Sequence, residues 1–388
     1  MPDRSLIFPR AEFARRCAAL QAGMAEASFD ALLLTTPADV FYTTGFLTRF
    51  WESPARPWFV VVPLSGNPIA VIPAIGADLM GRTWIDDIRT WPAPDPRDDG
   101  VSLLTQTLCD IVPERGAIGL PMGLETSLRM PVADYTSLRD ACAPRRFGDA
   151  TRVVHGVREI KSEAEIDKIR TICAVADRAF ARVPQFAGAG VLLDQIFRDF
   201  QIALLSEGAD WVSYVAGGAA QGGYGDVISP APAEPLRAGD VLMLDTGAVR
   251  DGYFCDFDRN WSVGPAADDT KGAHSALFQA TEAVLQTLRP GMRACDVHRI
   301  LTDRLNALGA TPGGGRLGHG LGITLTEWPS FTPLDTTELR EGMVLALEPG
   351  VEIAPGRILV HEENIVLRAN GPELLCQRTP ADLPEIDL

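Results

Sequence analysis

Histidine is scarce in this chain, five among 388 residues, and no two cysteines share a C-x-x-C spacing. The seven cysteines, at positions 17, 109, 142, 173, 255, 295 and 376, are odd in number and widely scattered, which argues against a disulfide framework and against a thiolate metal site. They read as reduced thiols of a cytoplasmic protein. Positive charge is also in deficit: 35 Lys and Arg against 51 Asp and Glu give a formal charge of −16. Such a surface repels phosphate backbones and anionic membranes, so neither nucleic acid nor a membrane is expected as a partner. No uninterrupted apolar run has membrane-spanning length, and the opening MPDRSLIFPRAEFARR carries charges where a secretory leader needs its apolar core. The expectation is a soluble, cytoplasmic protein.

What is present is enough apolar material, 46% of residues, for two domains that each bury a core. Apolar spacing from Ala11 to Ala27 (Phe13, Cys17, Leu20, Met24) is helical, and Phe29 to Thr35 is strand-like. Further strands read at 58–63, 68–72 and 116–120, with a helix over 133–141. Residues 1–155 are therefore assigned to one α/β domain. Ser162 followed by Glu165 is a capping-box pattern, and the stripe Ile166, Ile169, Ile172, Val175 and Ala179 marks the long helix it opens. With two more helices near 268–288 and 294–308 among hairpins, residues 156–388 read as an α+β domain, an antiparallel sheet flanked by helices.

The chemistry is carried by carboxylates. VLMLDTGAVRDGYFCDFDRNWSV reads as two strands about a turn. A turn at Arg250 and Asp251 sets Asp245 opposite Asp256, whereas one at Asp251 and Gly252 sets it opposite Asp258. In both registers, alternation puts two or more aspartates on one face. Downstream, Glu348 in ALEPGVEI and Glu362 in LVHEENIVL flank a turn at Pro355-Gly356, which brings a second carboxylate pair close to opposition. At about 4 Å and an effective dielectric near 20, each such pair repels by roughly 4 kcal/mol. Two divalent cations with oxygen ligands relieve that repulsion, and His319 in GRLGHGLG adds a nitrogen ligand. Taken singly, each of these residues also fits a solvated or turn position.

LDTGAVRDGYFCD, GHGLG, GMVLALEPG and HEEN together resemble the ligand motifs of the pita-bread metallopeptidases: Xaa-Pro aminopeptidase, prolidase, methionine aminopeptidase and creatinase. REIKSEAEIDKIR is similar to the segment that opens their catalytic domain, and FDALLLTTPADVFYTTGF resembles the creatinase-type N-terminal domain. The resemblance implies a metal-dependent hydrolase acting on a small amide or dipeptide. Asp245, Asp256, His319, Glu348 and Glu362 would hold two divalent ions, manganese foremost, with cobalt, iron or zinc as alternatives. It further implies that Glu348 carries protons, and that the protein is a homodimer.

Some positions depart from the family's pattern. Thr326 stands where a substrate-binding histidine is expected, and Gly223 and Tyr224 lie near the place of another. Asp258 replaces a Thr or Ser and reads either as a salt-bridge partner of Arg259 or as a residue beside the metals. Glu327 is a candidate replacement acid or amine anchor, or simply an exposed carboxylate. Catalytic candidates are thus Glu348, Glu327 and Asp258. Tyr214, Tyr224, Arg259, Trp328 and His361 are the candidate substrate contacts, although strand alternation aims His361 away from Glu362. Arg49, Trp51 and Arg56 either reach a neighbouring subunit's site or belong to a solvated loop. Two other readings remain open: a creatinase-like hydrolase or lyase acting on a small nitrogen or sulfonium compound, and a catalytically silent binding module.

Overall fold

The computed structural model describes residues 7–52 and 56–388, in two compact units that divide between Arg158 and Glu159. The first unit contains α1 (Arg10–Ala27), β1 (Ala31–Leu34), α2 (Pro37–Thr44), β2 (Phe59–Pro63), β3 (Ile69–Pro73), α3 (Ala77–Met80), β4 (Asp87–Trp91), α4 (Val101–Ile111), β5 (Ala117–Leu120), α5 (Val132–Ala141), β6 (Arg146–Asp149) and α6 (Thr151–Arg158). Its sheet runs β4-β3-β2-β1-β5-β6, antiparallel at β1–β2 and β2–β3 and parallel elsewhere. The central strands are apolar throughout because both faces are covered: every residue of β1 and β3 is buried. Trp51 packs against Phe46 and Trp58 at ring distances of 6.0 and 5.5 Å, and Arg56 lies 5.0 Å over the Phe50 ring. Residues 53–55 of that segment fall outside the described residues.

The second unit contains α7 (Glu163–Phe180), α8 (Leu193–Glu207), β7 (Trp211–Gln221), β8 (Asp240–Arg250), β9 (Tyr253–Phe254), β10 (Phe257–Val263), α9 (Asp268–Thr287), α10 (Ala294–Ala307), β11 (Thr311–Pro312), β12 (Gly318–Gly320), β13 (Glu327–Ser330), β14 (Val344–Leu347), β15 (Gly350–Ala354), β16 (Arg357–Val360), β17 (Glu363–Arg368), β18 (Gly371–Leu374) and β19 (Glu385–Ile386). The reciprocal capping box of Ser162 and Glu165 starts α7, whose predicted stripe is buried. Burying a residue such as Ile169 contributes roughly 1.5–3 kcal/mol. In place of one antiparallel sheet there are three pieces: β19-β10-β8-β7 with β9 alongside β8, β11-β15-β16, and β13-β12-β14-β17-β18. The pairings are antiparallel apart from β10–β19. Helices α9 and α10 supply Leu277, Val284, Val297 and Leu301 to the core beneath.

The two-residue turn between β8 and β9 is Asp251-Gly252, and both have positive φ, 52° and 80°, as a hairpin twisted with its strands requires. That choice selects between the two registers left open by the sequence: Asp245 pairs across the ladder with Asp258, and Asp256 falls in the gap between β9 and β10. Among the described residues no helix is long and apolar enough to cross a membrane.

In α1, burial raises the Glu12 carboxyl, but hydrogen bonds from Arg15 and Arg16, at 2.8 and 2.9 Å to Oε1, outweigh it and hold it at about 2 instead of 4.5. A carboxyl lowered on folding stabilises the fold above its unfolded value, and that contribution fades as pH falls through the folded value. Glu12→Gln is expected to lower the melting temperature at pH 7, with the deficit shrinking between pH 4.5 and 2. A deficit constant across that range in thermal melts would count against this assignment.

Candidate metal centre

Asp245 lies within the β8–β10 ladder, whereas the other acidic residues of the centre sit where a strand pair is interrupted. Asp256 has no ladder partner on β8; instead Asn364 of β17 reads its backbone, accepting from the Asp256 N–H at 3.0 Å and donating to its carbonyl at 2.5 Å. One amide side chain thereby joins β10 to the sheet that carries β17. Glu348 and Glu362 occupy a second interruption. Leu347 pairs with Glu363 on one side of it and Gly350 with Val360 on the other, so Glu348 and Glu362 stand opposite each other in the interval. The strands change sheets there, with only the His361 N–H to Pro349 carbonyl bond, 3.1 Å, bridging the gap. Side chains at such breaks are not committed to either sheet face and can converge.

His319 lies on β12 between two glycines that the packing demands. A Cβ at Gly318, where φ is +141°, would meet the Ala346 carbonyl at 2.2 Å, and one at Gly320 would meet the Trp328 carbonyl at 2.4 Å. The Nδ1 nitrogen lies 2.8 Å from the Gly320 carbonyl, which makes it the donor and leaves the Nε2 lone pair for a cation. That Nε2 is 2.6 Å from Glu348 Oε1 and 3.2 Å from Asp256 Oδ2.

The structure thus brings together all five residues singled out as ligands. They form two sets, Asp256, His319 and Glu348, and Asp245, Asp256 and Glu362, whose ligand atoms lie within 4.8 Å of one another. Asp256 belongs to both. Burial, then the neighbouring carboxylates, pushes Asp245 and Glu362 well above the usual carboxylate range; burial also raises Asp256, against the pull of His319. Burial alone would lower the His319 imidazole, but Glu348 and Asp256 lift it to about 10. Asp245 Oδ1 and Glu362 Oε2 are buried with no hydrogen-bond partner. Unpartnered buried carboxylate oxygens, clustered like charges and a correctly oriented imidazole fit two divalent cations that share Asp256. The Tyr214 hydroxyl, 2.9 Å from Asp245 Oδ2 and 2.8 Å from Asp256 Oδ1, spans both aspartates.

Several accessory assignments require correction. Glu327 is not a replacement acid: its Oε2 is 2.9 Å from Lys161 Nζ, both groups are buried, and Oε1 accepts from the Ile323 and Thr324 amides. Arg259 is not a substrate contact, because its guanidinium is buried against the Glu362 carbonyl at 2.9 Å and the Glu363 carboxylate at 3.3 Å. Tyr224 is 1% exposed, and its hydroxyl is taken up by Asn260 and the Val360 N–H. His361 is turned into the interior, with Nε2 2.8 Å from Arg378 and 3.1 Å from Glu363, and burial pushes it down to about 4. Asp258 is 1% exposed with both oxygens hydrogen-bonded, so it faces no substrate; burial raises it to about 8, with Arg259 and the Glu362 amide opposing. Trp328 is half-buried and donates its indole N–H to Thr337 at 2.8 Å.

Asn364 and Asn260 brace the centre and Lys161 neutralises the buried Glu327; all three escaped the sequence reading. Asn364 follows directly on the HEE run, yet a lone asparagine in a strand carries no local pattern that marks it. Lys161 meets Glu327 across 166 positions of sequence. Lys161→Met leaves a buried carboxylate without its cation and is expected to cost about 3–5 kcal/mol, most of it regained when Glu327→Leu is added. Urea unfolding of the single and double variants checks this; equal midpoints for Lys161→Met and wild type would contradict it.

Residues 167–369 match metallopeptidase family M24, and residues 16–160 match the creatinase/prolidase N-terminal domain. The probable dipeptidase PepE of Mycobacterium tuberculosis is 29% identical over 384 residues, covering 96% of each chain. An Xaa-Pro dipeptidase of Pyrococcus horikoshii is 27% identical over 257 residues, 66% of this chain and 72% of that one. The crystal structure of dipeptidase PepE from Mycobacterium ulcerans superposes with a TM-score of 0.84 at 28% identity, covering 98% of this chain and 100% of that one. The X-Pro aminopeptidase of Thermotoga maritima shares the fold, with a TM-score of 0.81 at 22% identity over 95% of this chain and 99% of that one. With a creatinase-type first unit, a pita-bread second unit and the M24 match spanning more than half its length, this chain belongs to metallopeptidase family M24 and is a hydrolase.

Proposed function

We propose that the protein is a two-metal dipeptidase or aminopeptidase of the Xaa-Pro type, cleaving a small peptide with Asp245, Asp256, His319, Glu348 and Glu362 as the ligands of two divalent ions. The observation that carries this reading is the pair of ligand sets sharing Asp256. The names borne by the relatives, probable dipeptidase and Xaa-Pro dipeptidase, support the substrate class. Hard carboxylate oxygens with a single imidazole favour manganese. A cytoplasmic homodimer is part of the same reading, the cytoplasm from the scattered, unpaired cysteines and the dimer from the family resemblance.

Held in this site, divalent ions lower the pKa of the attacking water and polarise the scissile carbonyl. The chain's own residues do the rest. Glu348, with 14% of its side chain exposed against 6% for Asp256, is more open to solvent than that ligand, and we assign it the proton transfer from water to the leaving nitrogen. His319, oriented by the Gly320 carbonyl, keeps Nε2 facing Glu348 and Asp256. Tyr214 holds the carboxylates of Asp245 and Asp256 in fixed relation.

Two observations favour a second reading, a hydrolase or lyase on the same scaffold that takes a small polar nitrogen or sulfonium compound. Thr326 stands in place of a substrate histidine and accepts from Arg316 at 3.1 Å. Gly223, at φ +148°, has no room for a side chain: a Cβ would meet Arg357 Cγ at 2.8 Å and the Ile358 carbonyl at 2.9 Å. A panel of dipeptides, Xaa-Pro amides and small guanidino and sulfonium compounds, assayed with manganese restored, separates the two. Turnover of Xaa-Pro dipeptides is expected. Asp256→Ala should bind less metal and lose activity, while Glu348→Gln should lower kcat by about 10²–10⁴-fold. Full activity in Asp256→Ala would remove the proposal.

A further inference from the structure

The segment between β7 and β8 is tied down at both ends and presents one large apolar side chain. At its start Tyr224 exchanges backbone hydrogen bonds with Ile358, at 3.1 and 2.7 Å, and near its end the Glu234 carbonyl accepts from the Leu193 N–H at 2.9 Å. Between these ties the backbone doubles back along β7. A Cβ at Gly218 would meet the Asp226 carbonyl at 2.7 Å, and the Gly217 N–H donates to the Val227 carbonyl at 3.1 Å. Residues 226 and 227 thus meet 218 and 217 in turn, which carries Ile228 toward Ala216, the residue paired with Asp245 across the β7–β8 ladder. Asp226 locks this course, because its Oδ1 accepts from the Ile228 and Ser229 N–H groups at 2.9 and 3.1 Å. Val227 packs against the core, whereas Ile228 is 88% exposed.

A second apolar side chain borders the same carboxylates. Gly247 follows Asp245 by two residues on β8 and so shares its face. A Cβ there would meet Tyr214 Cε1 at 2.5 Å and Leu325 Cδ1 at 2.7 Å, so the Tyr214 ring and half-buried Leu325 fill the space beside Asp245. Asp245 is thereby bordered along its own strand by Leu325 and on the side of β7 by the Ile228 turn. A single exposed isoleucine is ordinary on a protein surface. This one stands level with a candidate ligand, on a turn that two hydrogen bonds hold in place, and its exposure means that it adds little to the core of the fold.

We propose that Ile228 is a specificity-determining residue, the apolar contact that receives a hydrophobic side chain or the proline ring of a dipeptide bound at the metal centre. This rests on the peptidase reading of that centre. The ligand carboxylates act on the peptide bond, which every dipeptide offers alike, so discrimination among dipeptides falls to contacts with their side chains. Ile228 leaves water only when an apolar group covers it, and the resulting gain is withheld from polar substrates. Asp226 acts through Ile228 by fixing the turn that presents it.

The test is the kinetics of manganese-loaded wild type, Ile228→Ser, Ile228→Leu and Asp226→Ala on Leu-Pro, Ser-Pro and Leu-Ser, together with their melting temperatures and Mn²⁺ affinities. Ile228→Ser is expected to raise KM for Leu-Pro about 10-fold with kcat within about 2-fold of wild type. The rise should be smaller for whichever of Ser-Pro and Leu-Ser lacks the side chain that rests on Ile228. Ile228→Leu, which keeps the apolar volume, is expected to retain the preference for Leu-Pro, and Asp226→Ala to weaken it. Melting temperature and Mn²⁺ affinity of Ile228→Ser should match wild type. An unchanged KM for Leu-Pro, an equal rise for all three dipeptides, or a fall in melting temperature or Mn²⁺ affinity that accompanies the rise overturns the proposal while leaving the peptidase reading intact. Wild-type protein that cleaves none of the three overturns that reading, and this inference with it.

Discussion

Mutual repulsion among buried carboxylates is the constraint on which the second unit turns. Asp245, Asp256 and Glu362 are buried, Glu348 is nearly so, and unpartnered oxygens on Asp245 and Glu362 have no donor from the protein. At an effective dielectric near 20 each close pair repels by roughly 4 kcal/mol, a large fraction of the net stability of a domain. A fold that keeps such a cluster does so for cations, and the membership in family M24 agrees with that physical reading.

The backbone serves the cluster through its irregularities. Regular antiparallel pairing would commit each carboxylate to one face of one sheet. Instead, β9 and β10 are separated at Asp256, and the strand pair carrying Glu348 and Glu362 changes sheets at those residues. Asn364 supplies the hydrogen bonds that the broken ladder omits, and Gly318 and Gly320 let β12 approach β13 and β14 closely enough for His319 to reach Asp256 and Glu348.

Behind the cluster lies a second layer of charge in which every group is answered by another. Arg259 and Arg378 meet Glu363, and Lys161 meets Glu327. Burial raises the Glu363 carboxyl, but Arg259, His361 and Arg378 outweigh it and hold it below the usual range. Residues that resembled substrate contacts in sequence, such as Arg259 and His361, are members of this layer. Their proximity to the ligands along the chain is real, yet strand alternation turns them to the opposite face.

Local pattern by itself determined much of this protein. The 3.6-residue stripe and capping box of α7, the apolar strands of the first unit and the Asp251-Gly252 turn as one of two choices follow from interactions a few positions apart; the clustering of carboxylates follows from the improbability of unanswered like charges, and the choice of five candidate ligands among them from the resemblance to the family's motifs. Only the tertiary structure decided which hairpin register holds, that Glu327 answers Lys161, that Tyr224 and Asn260 orient Asp258, and that Asn364 joins two sheets. Those outcomes depend on side chains that meet across strands distant in sequence, where no periodicity records the partner and where burial, set by the whole packing, determines which charge must be matched.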